Sequence, residues 1–177
     1  MIRLTLKLFL FLFFIIFSKI SGQLYQVFQV VNIEKYQGKN FILEGKIFYN
    51  NEINNNSWMV LSALFLNEKG TGMKEMIHSD NAQIYYKKGE WSPYELKGKI
   101  IKNAKGIAVG VSVAGKGSYY LDDFKLFVLE GKNKIEVPLK NHSFEDASLM
   151  PWQSYAKDEG SKMSISTAKP LSGIFVY

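Results

Sequence analysis

The stretch that decides the fold is GKGSYYLDDFKLFV, which runs from Gly115 to Val128. A glycine-rich turn leads into a strand that carries two adjacent acids before an alternating apolar tail. Because successive side chains of a strand point to opposite faces, Asp122 is predicted to share the core face with Phe124 and the apolar positions after it. A carboxylate at the buried end of a strand needs a hydrogen bond or a bound cation. We therefore expect Asp122 to accept hydrogen bonds from the amides of a neighbouring turn, and a bound calcium ion is the alternative.

Other strands are indicated by alternation and by apolar runs between turns. Residues 41–49 alternate, and Gly45 within them predicts a bulge. Residues 58–66 are apolar on both faces, which is typical of a central strand covered on each side. Pro93 places the start of the next strand at a sheet edge. Residues 107–113 alternate as well, and helical spacing persists nowhere after the N-terminal segment, so the pattern predicts an all-β antiparallel sandwich or barrel.

One face of the strand at 107–113 is uniformly small: Ala108, Gly110, Ser112 and Ala114. Such a face either forms the floor of a groove that admits a ligand or lets another backbone approach closely. The second arrangement is the commoner one in a sandwich.

The N-terminal segment indicates export. Arg3 and Lys7 precede an apolar run from Leu8 to Phe17, and small residues follow up to Gly22. This order predicts a secretory signal peptide at residues 1–22, because the run is about half the length that a membrane-spanning helix needs. An uncleaved anchor is the alternative. We expect an exported protein, located in the periplasm, at the cell surface or outside the cell, with no transmembrane segment in the mature chain.

Composition excludes several classes of function. The chain has no Cys, which removes disulfides, thiolate metal sites and a lipid anchor on an N-terminal Cys. Without the signal peptide, 19 lysines face 16 acids, so the mature charge is about +3. Arg3 is the single arginine, and bidentate recognition of phosphate or guanine is therefore not available to the mature chain. The lysines are spread singly, so we expect no nucleic-acid partner.

A change of character near residues 131–134 predicts a boundary. We predict one domain at residues 23–132 and the start of a second, truncated β segment at residues 133–177. The chain ends on a short apolar strand, Gly173 to Tyr177, whose edge would be exposed on its own. Either that strand pairs back into the first sheet, or the chain is the front part of a longer protein.

The order of these pieces resembles the carbohydrate-binding, galactose-binding-domain-like jelly rolls of secreted bacterial glycoside hydrolases. The resemblance covers residues 25–129 and rests on the Trp-Ser-Pro-Tyr-Glu-Leu strand at 91–96 and on the closing glycine turn, aromatic pair and Asp-Asp at 115–123. It is nearest to the variant that precedes secreted serine peptidases of the tail-specific type. Residues 141–145, Asn-His-Ser-Phe-Glu, look like the opening of a further such module. The first module lacks this opening, which in the sugar-binding members often helps to hold calcium.

The resemblance implies a jelly roll that binds glycans through aromatic rings stacked on sugar rings. The candidate stacking residues are Trp58 and one of Tyr85 and Tyr86, because adjacent strand residues face opposite ways. Asn81, Gln83 and Glu75 are the candidate polar neighbours. Trp91 stands where the resemblance predicts a packing residue, so we expect a structural role for it.

Nothing in the sequence predicts catalysis. Asp122 and Asp123 are adjacent and should face opposite ways, so they cannot act as an acid–base pair on one substrate, and we expect structural roles for both. His78 and His142 have no partner at metal-ligand spacing. No nucleophile elbow, zinc signature or phosphate loop is present. No cofactor is expected.

Two functions follow as hypotheses. In the first, the protein is a secreted, non-catalytic module that binds a glycan or polysaccharide. In the second, it is an accessory domain from the N-terminal part of a larger secreted hydrolase or peptidase, and its partner is the neighbouring catalytic domain rather than a ligand.

Overall fold

The structure, a computed structural model, describes residues 24–49, 58–74, 76–79, 89–115, 118–146, 148–156, 163–166 and 173–176. The predicted signal peptide lies outside these residues. The strands are β1 (Leu24–Asn32), β2 (Asn40–Tyr49), β3 (Trp58–Leu66), β4 (Ile77–His78), β5 (Trp91–Lys99), β6 (Gly106–Ala114), β7 (Tyr119–Glu130), β8 (Asn133–Val137), β9 (Gln153–Ala156), β10 (Met163–Ser166) and β11 (Gly173–Val176). A 3-10 turn, Glu34–Tyr36, follows β1. Among the described residues, no helix is long and apolar enough to cross a membrane.

The strands form two antiparallel sheets, so the all-β prediction is confirmed and the architecture is that of a β-sandwich. Sheet I has the order β4-β3-β6-β1-β9. Sheet II has the order β10-β11-β7-β2-β5, and β8 pairs with β7. As predicted from Pro93, β5 lies at an edge of its sheet. The predicted central strand β3 is buried at every position after Trp58.

The core lies between the inner faces of the two sheets. Phe41 of β2 and Phe65 of β3 meet edge to face, with ring centroids 6.0 Å apart, and join sheet II to sheet I. On β6 the branched residues of the alternating pattern all face this core: Ile107, Val109, Val111 and Val113. The strand β1, which the sequence analysis did not predict, supplies Tyr25 and Val27 to the same core.

The bulge predicted at Gly45 is present, and it changes the phase of β7. Lys46 of β2 is opposite Asp122, but Glu44 is opposite Lys125, so Asp123 and Phe124 together face one residue of β2. Asp123 has a φ of 52°, a left-handed conformation that Asp tolerates better than most residues.

This change of phase corrects the prediction about Asp122. The core positions of β7 are Tyr119 and Leu121 before the bulge and Phe124 after it, so Asp122 does not share the alternation of Phe124. Its register partner is Lys46, which alternates with the core residue Ile47. Asp122 is nevertheless buried, with 3% of its surface exposed, as the sequence predicted.

Residues beyond the predicted boundary contribute strands to both sheets. β8 pairs with the C-terminal half of β7, β9 pairs with β1, and β11 pairs with the start of β7. Of the two alternatives for the last apolar strand, the structure therefore has it pairing back onto earlier strands, beside β7 in sheet II. Strands from both sides of residue 132 therefore belong to the same two sheets.

The segment that looked like the opening of a further module packs into the sandwich instead. Phe144 and Trp152 form a triangle with Phe124, in which the ring centroids are 6.0 Å (Phe124–Phe144), 5.1 Å (Phe124–Trp152) and 5.1 Å (Phe144–Trp152) apart. All three side chains are at most 2% exposed. The indole Nε1 of Trp152 donates a hydrogen bond to the carbonyl of Asn141, 2.9 Å away. The three packed rings, called the aromatic triangle below, therefore extend the buried core beside the β7 bulge.

Candidate functional site

The glycan site predicted from the sequence is described only at one residue. Trp58 begins β3, is half-buried, and is opposite Ala114 of β6 in sheet I. Its predicted partners Tyr85, Tyr86, Asn81, Gln83 and Glu75 lie outside the described residues.

A different set of aromatic side chains forms a row across sheet II. Trp91 of β5 and Tyr120 of β7 are both register partners of Phe48, which lies on β2 between them. The Phe48 ring centroid is 5.6 Å from that of Trp91 and 5.6 Å from that of Tyr120. Trp91, Phe48 and Tyr120 are called the aromatic row below.

The aromatic row lies on the outer face of sheet II. Its members alternate with core residues on each strand: Phe48 follows Ile47, and Tyr120 lies between Tyr119 and Leu121. Phe48 is 6% exposed, whereas Trp91 and Tyr120 are half-buried. Trp91 was expected to have a packing role. It does pack against Phe48, but it is only half-buried.

An open groove of about 410 Å³ lies on the same face, next to the aromatic row. Its first lining residues, Pro93 and Lys46, are two positions along β5 and β2 from Trp91 and Phe48. Two residues of a strand span about 7 Å, so the groove begins about 7 Å from the row. The full lining is Glu44, Gly45, Lys46, Pro93, Tyr94, Glu95, Asp123 and Lys125.

The bulge shapes one wall of this groove. Lys46 Nζ is 2.6 Å from Asp123 Oδ2, and this pairing, first through the hydrogen bond and then through charge, raises the pKa of Lys46. Gly45 leaves room for the Phe124 ring, since a Cβ at Gly45 would lie 3.1 Å from Phe124 Cε1. Gly45 therefore lines the groove on one side and lies against a ring of the buried aromatic triangle on the other.

Asp122 satisfies part of its hydrogen-bonding capacity within the bulge. Its Oδ1 accepts the Asp123 N–H at 2.7 Å, and the next amide, that of Phe124, donates to the His142 carbonyl at 3.0 Å. The amide that Asp122 accepts is thus that of the next residue in β7, whereas the sequence predicted the amides of a neighbouring turn. Burial raises the pKa of Asp122 to about 6; the bond from Asp123 N–H and the charge of Lys46 oppose the rise, while the charges of Asp123 and Glu145 add to it.

Replacing Asp122 with asparagine is expected to make the protein less sensitive to pH. The pKa of Asp122 is about 6 in the folded state and ordinarily 3.8, so the folded state holds the proton more tightly and this residue's contribution to stability falls as pH rises from 3.8 through about 6. Asparagine keeps an oxygen for the Asp123 N–H but does not titrate. Urea midpoints measured across this pH range should show the wild type losing stability relative to Asp122→Asn. Parallel curves for the two proteins would contradict the assignment.

The remaining predicted residues do not form a chemical centre with one another. Asp123 is engaged with Lys46, and the backbone carbonyl of His142 accepts an amide of β7. His78 of β4 is opposite Ser62 of β3, and burial lowers the pKa of its imidazole. In the part of the chain that is described, no group of three or more His, Cys, Asp and Glu side chains is placed to hold a metal ion.

Comparison with protein-family models, with curated proteins and with solved structures gives no match for this chain. The resemblance to carbohydrate-binding modules thus rests on the residues quoted for it. The β-sandwich follows independently from the structure.

Sequence reasoning missed Phe48 and Tyr120 as site residues. Each alternates with an apolar core residue, so the sequence alone marks them as strand aromatics without telling which face they occupy. Their alignment with Trp91 depends on the register of three strands that are distant in sequence. The signal in the sequence is limited to the presence of an aromatic residue within each predicted strand.

Proposed function

We propose that this protein is an exported, non-catalytic β-sandwich of the jelly-roll class that binds a glycan on the outer face of sheet II. The observation that carries the proposal is the aromatic row, in which three neighbouring strands present one aromatic side chain each at the same level of the sheet. Aromatic rings offer apolar faces that complement the C–H faces of sugar rings, and their amphipathic edges tolerate water.

Three features support a binding role for this row in preference to simple packing. Trp91 and Tyr120 keep part of their surface open, although Phe48 between them is nearly covered. Phe48 also fixes the two outer rings in place, so little side-chain entropy is lost on binding. The adjoining groove supplies carboxylates and ammonium groups that can hydrogen-bond to sugar hydroxyls.

The proposal assigns no reaction to the protein. Pairs of carboxylates that act on glycosides are spaced across a substrate and act as free acid and base. The carboxylates that line the groove are instead each paired with a lysine, and Asp122 is buried at the bulge. The groups near the aromatic row are therefore suited to hold a ligand.

Replacing Trp91 with alanine is expected to weaken glycan binding by about tenfold or more, because a tryptophan that a ligand contacts directly often contributes more than about 1.4 kcal/mol. The measurement is the retardation of the purified protein in native gels that contain individual polysaccharides. Trp58→Ala is the matched control, since it removes the same side chain from sheet I. Circular dichroism should verify that both variants keep the wild-type fold.

The gels also distinguish the competing functions. If Trp58→Ala abolishes retardation and Trp91→Ala does not, the glycan site lies on sheet I, around the residues first predicted from the sequence. If no polysaccharide retards the wild-type protein, the proposal fails, and the aromatic row is better explained as a surface that packs on a neighbouring domain of an accessory-type protein.

A further inference from the structure

The charged side chains of the groove differ in whether they have a partner. Asp123 pairs with Lys46 at 2.6 Å, Glu95 pairs with Lys97 at 2.5 Å, and Glu44 pairs with Lys134 at 2.5 Å. Each carboxylate that lines the groove is therefore matched by one ammonium group.

Lys125 is the charge that remains. It lines the groove, is exposed, and is opposite Glu44 in the register of β7 and β2, but the Glu44 carboxylate is already engaged by Lys134. Lys125 has no ion pair within the described ranges of the chain. Of the two lysines that line the groove, Lys46 is engaged by Asp123, so Lys125 is the one that a ligand can meet without breaking an ion pair.

The charge of the whole chain has the same sign. Its formal net charge is +6, and the part after the predicted signal peptide keeps about +3. A positive field of this kind attracts anionic ligands and raises their rate of encounter. A neutral sugar would make no use of the Lys125 ammonium beyond a hydrogen bond that water already provides.

We propose that the groove beside the aromatic row binds a sugar unit that carries a negative charge, and that Lys125 pairs with its anionic group. The proposal rests on the proposed function, because the aromatic row holds the glycan chain and the groove selects its charged unit. The lysine ammonium is a point charge on a flexible stem, so it can pair with either a carboxylate or a sulfate. Lys125 is therefore a specificity-determining residue of an acidic-glycan site.

The test compares polymers that differ in charge on the same backbone. Polygalacturonate is compared with its methyl ester, carboxymethylcellulose with hydroxyethylcellulose, and dextran sulfate with dextran, each by retardation of the wild-type protein in native gels. The first two pairs report a carboxylate and the third a sulfate. We expect at least one charged polymer to bind about two- to fivefold more tightly than its neutral counterpart at low salt. The preference should vanish at about 1 M salt, where screening extends over only about 3 Å.

Two variants assign the preference to the groove. Lys125→Gln should lose it, whereas Lys99→Gln should keep it, because Lys99 is exposed on β5 but does not line the groove. Equal loss in both variants would mean non-specific attraction to a basic surface and would overturn the inference. Binding of charged and neutral polymers with equal affinity would overturn it too, while leaving the proposed function intact. If no polymer is retarded, the inference and the proposed function both fail.

Discussion

Replacing Gly110 with alanine is expected to lower the free energy of unfolding by about 3 kcal/mol or more, enough to leave much of the protein unfolded. A Cβ built at Gly110 would lie 1.9 Å from the carbonyl oxygen of Val27 and 2.8 Å from the Cα of Phe28. Both contacts are with backbone atoms of β1, so no side chain can rotate away to make room.

The position of Gly110 in sheet I makes relaxation costly. It lies in the middle of β6, opposite Phe28 of β1 on one side and Ser62 of β3 on the other. Moving β6 away from β1 would break hydrogen bonds on one side and compress packing on the other. The small face of β6 therefore serves close approach of a neighbouring backbone at this residue, which is the second of the two roles that the sequence left open.

Gly106→Ala is the matched control, since it adds the same methyl group to the same strand. The nearest atoms to its Cβ would be the Val31 carbonyl oxygen at 3.4 Å and two atoms of Leu66 at 3.7 Å, which are ordinary contact distances. We expect a change within about 1 kcal/mol, in either direction. Urea unfolding followed by circular dichroism measures both variants. If Gly110→Ala unfolds at the same urea concentration as Gly106→Ala, the close approach of β1 to β6 is not as the structure has it.

The strands could be predicted where the signal is local. The bounds of β3 and the edge position of β5 follow from an apolar run and from Pro93, because both depend on properties of consecutive residues. The bulge at Gly45 was also predictable. Its effect was not, because the extra residue lies on β7, and nothing in the alternation of β7 marks the place where its phase changes. That is why the predicted inward direction of Asp122 needed correction while its burial did not.

The candidate site depends on information that local patterns do not contain. Phe48, Trp91 and Tyr120 belong to strands separated by long connections, and only the pairing registers place them at one level. The same holds for residues 133–176, whose strands return to both sheets. A change in composition suggested a boundary at residue 132, but composition does not report which strands pair across it.

Replacing Trp152 with alanine is expected to cost about 3–5 kcal/mol, a large part of the stability of a typical domain. The indole is 2% exposed and contacts both Phe124 and Phe144, so its removal would leave a cavity lined by the two remaining rings. It would also remove the hydrogen bond to the Asn141 carbonyl, which holds the loop before β9 against the bulge of β7.

Trp91→Ala is the internal standard for this experiment, because it deletes the same side chain from the half-buried aromatic row and should cost clearly less. Urea unfolding of both variants at one pH gives the comparison.

Because Trp152 and Phe144 lie beyond the predicted boundary, a chain shortened after Lys132 should also fail to unfold cooperatively, since it loses the aromatic triangle together with β8, β9 and β11. If the shortened chain unfolds in one sharp transition and Trp152→Ala costs no more than Trp91→Ala, then residues 23–132 fold alone and the later strands only decorate the sandwich.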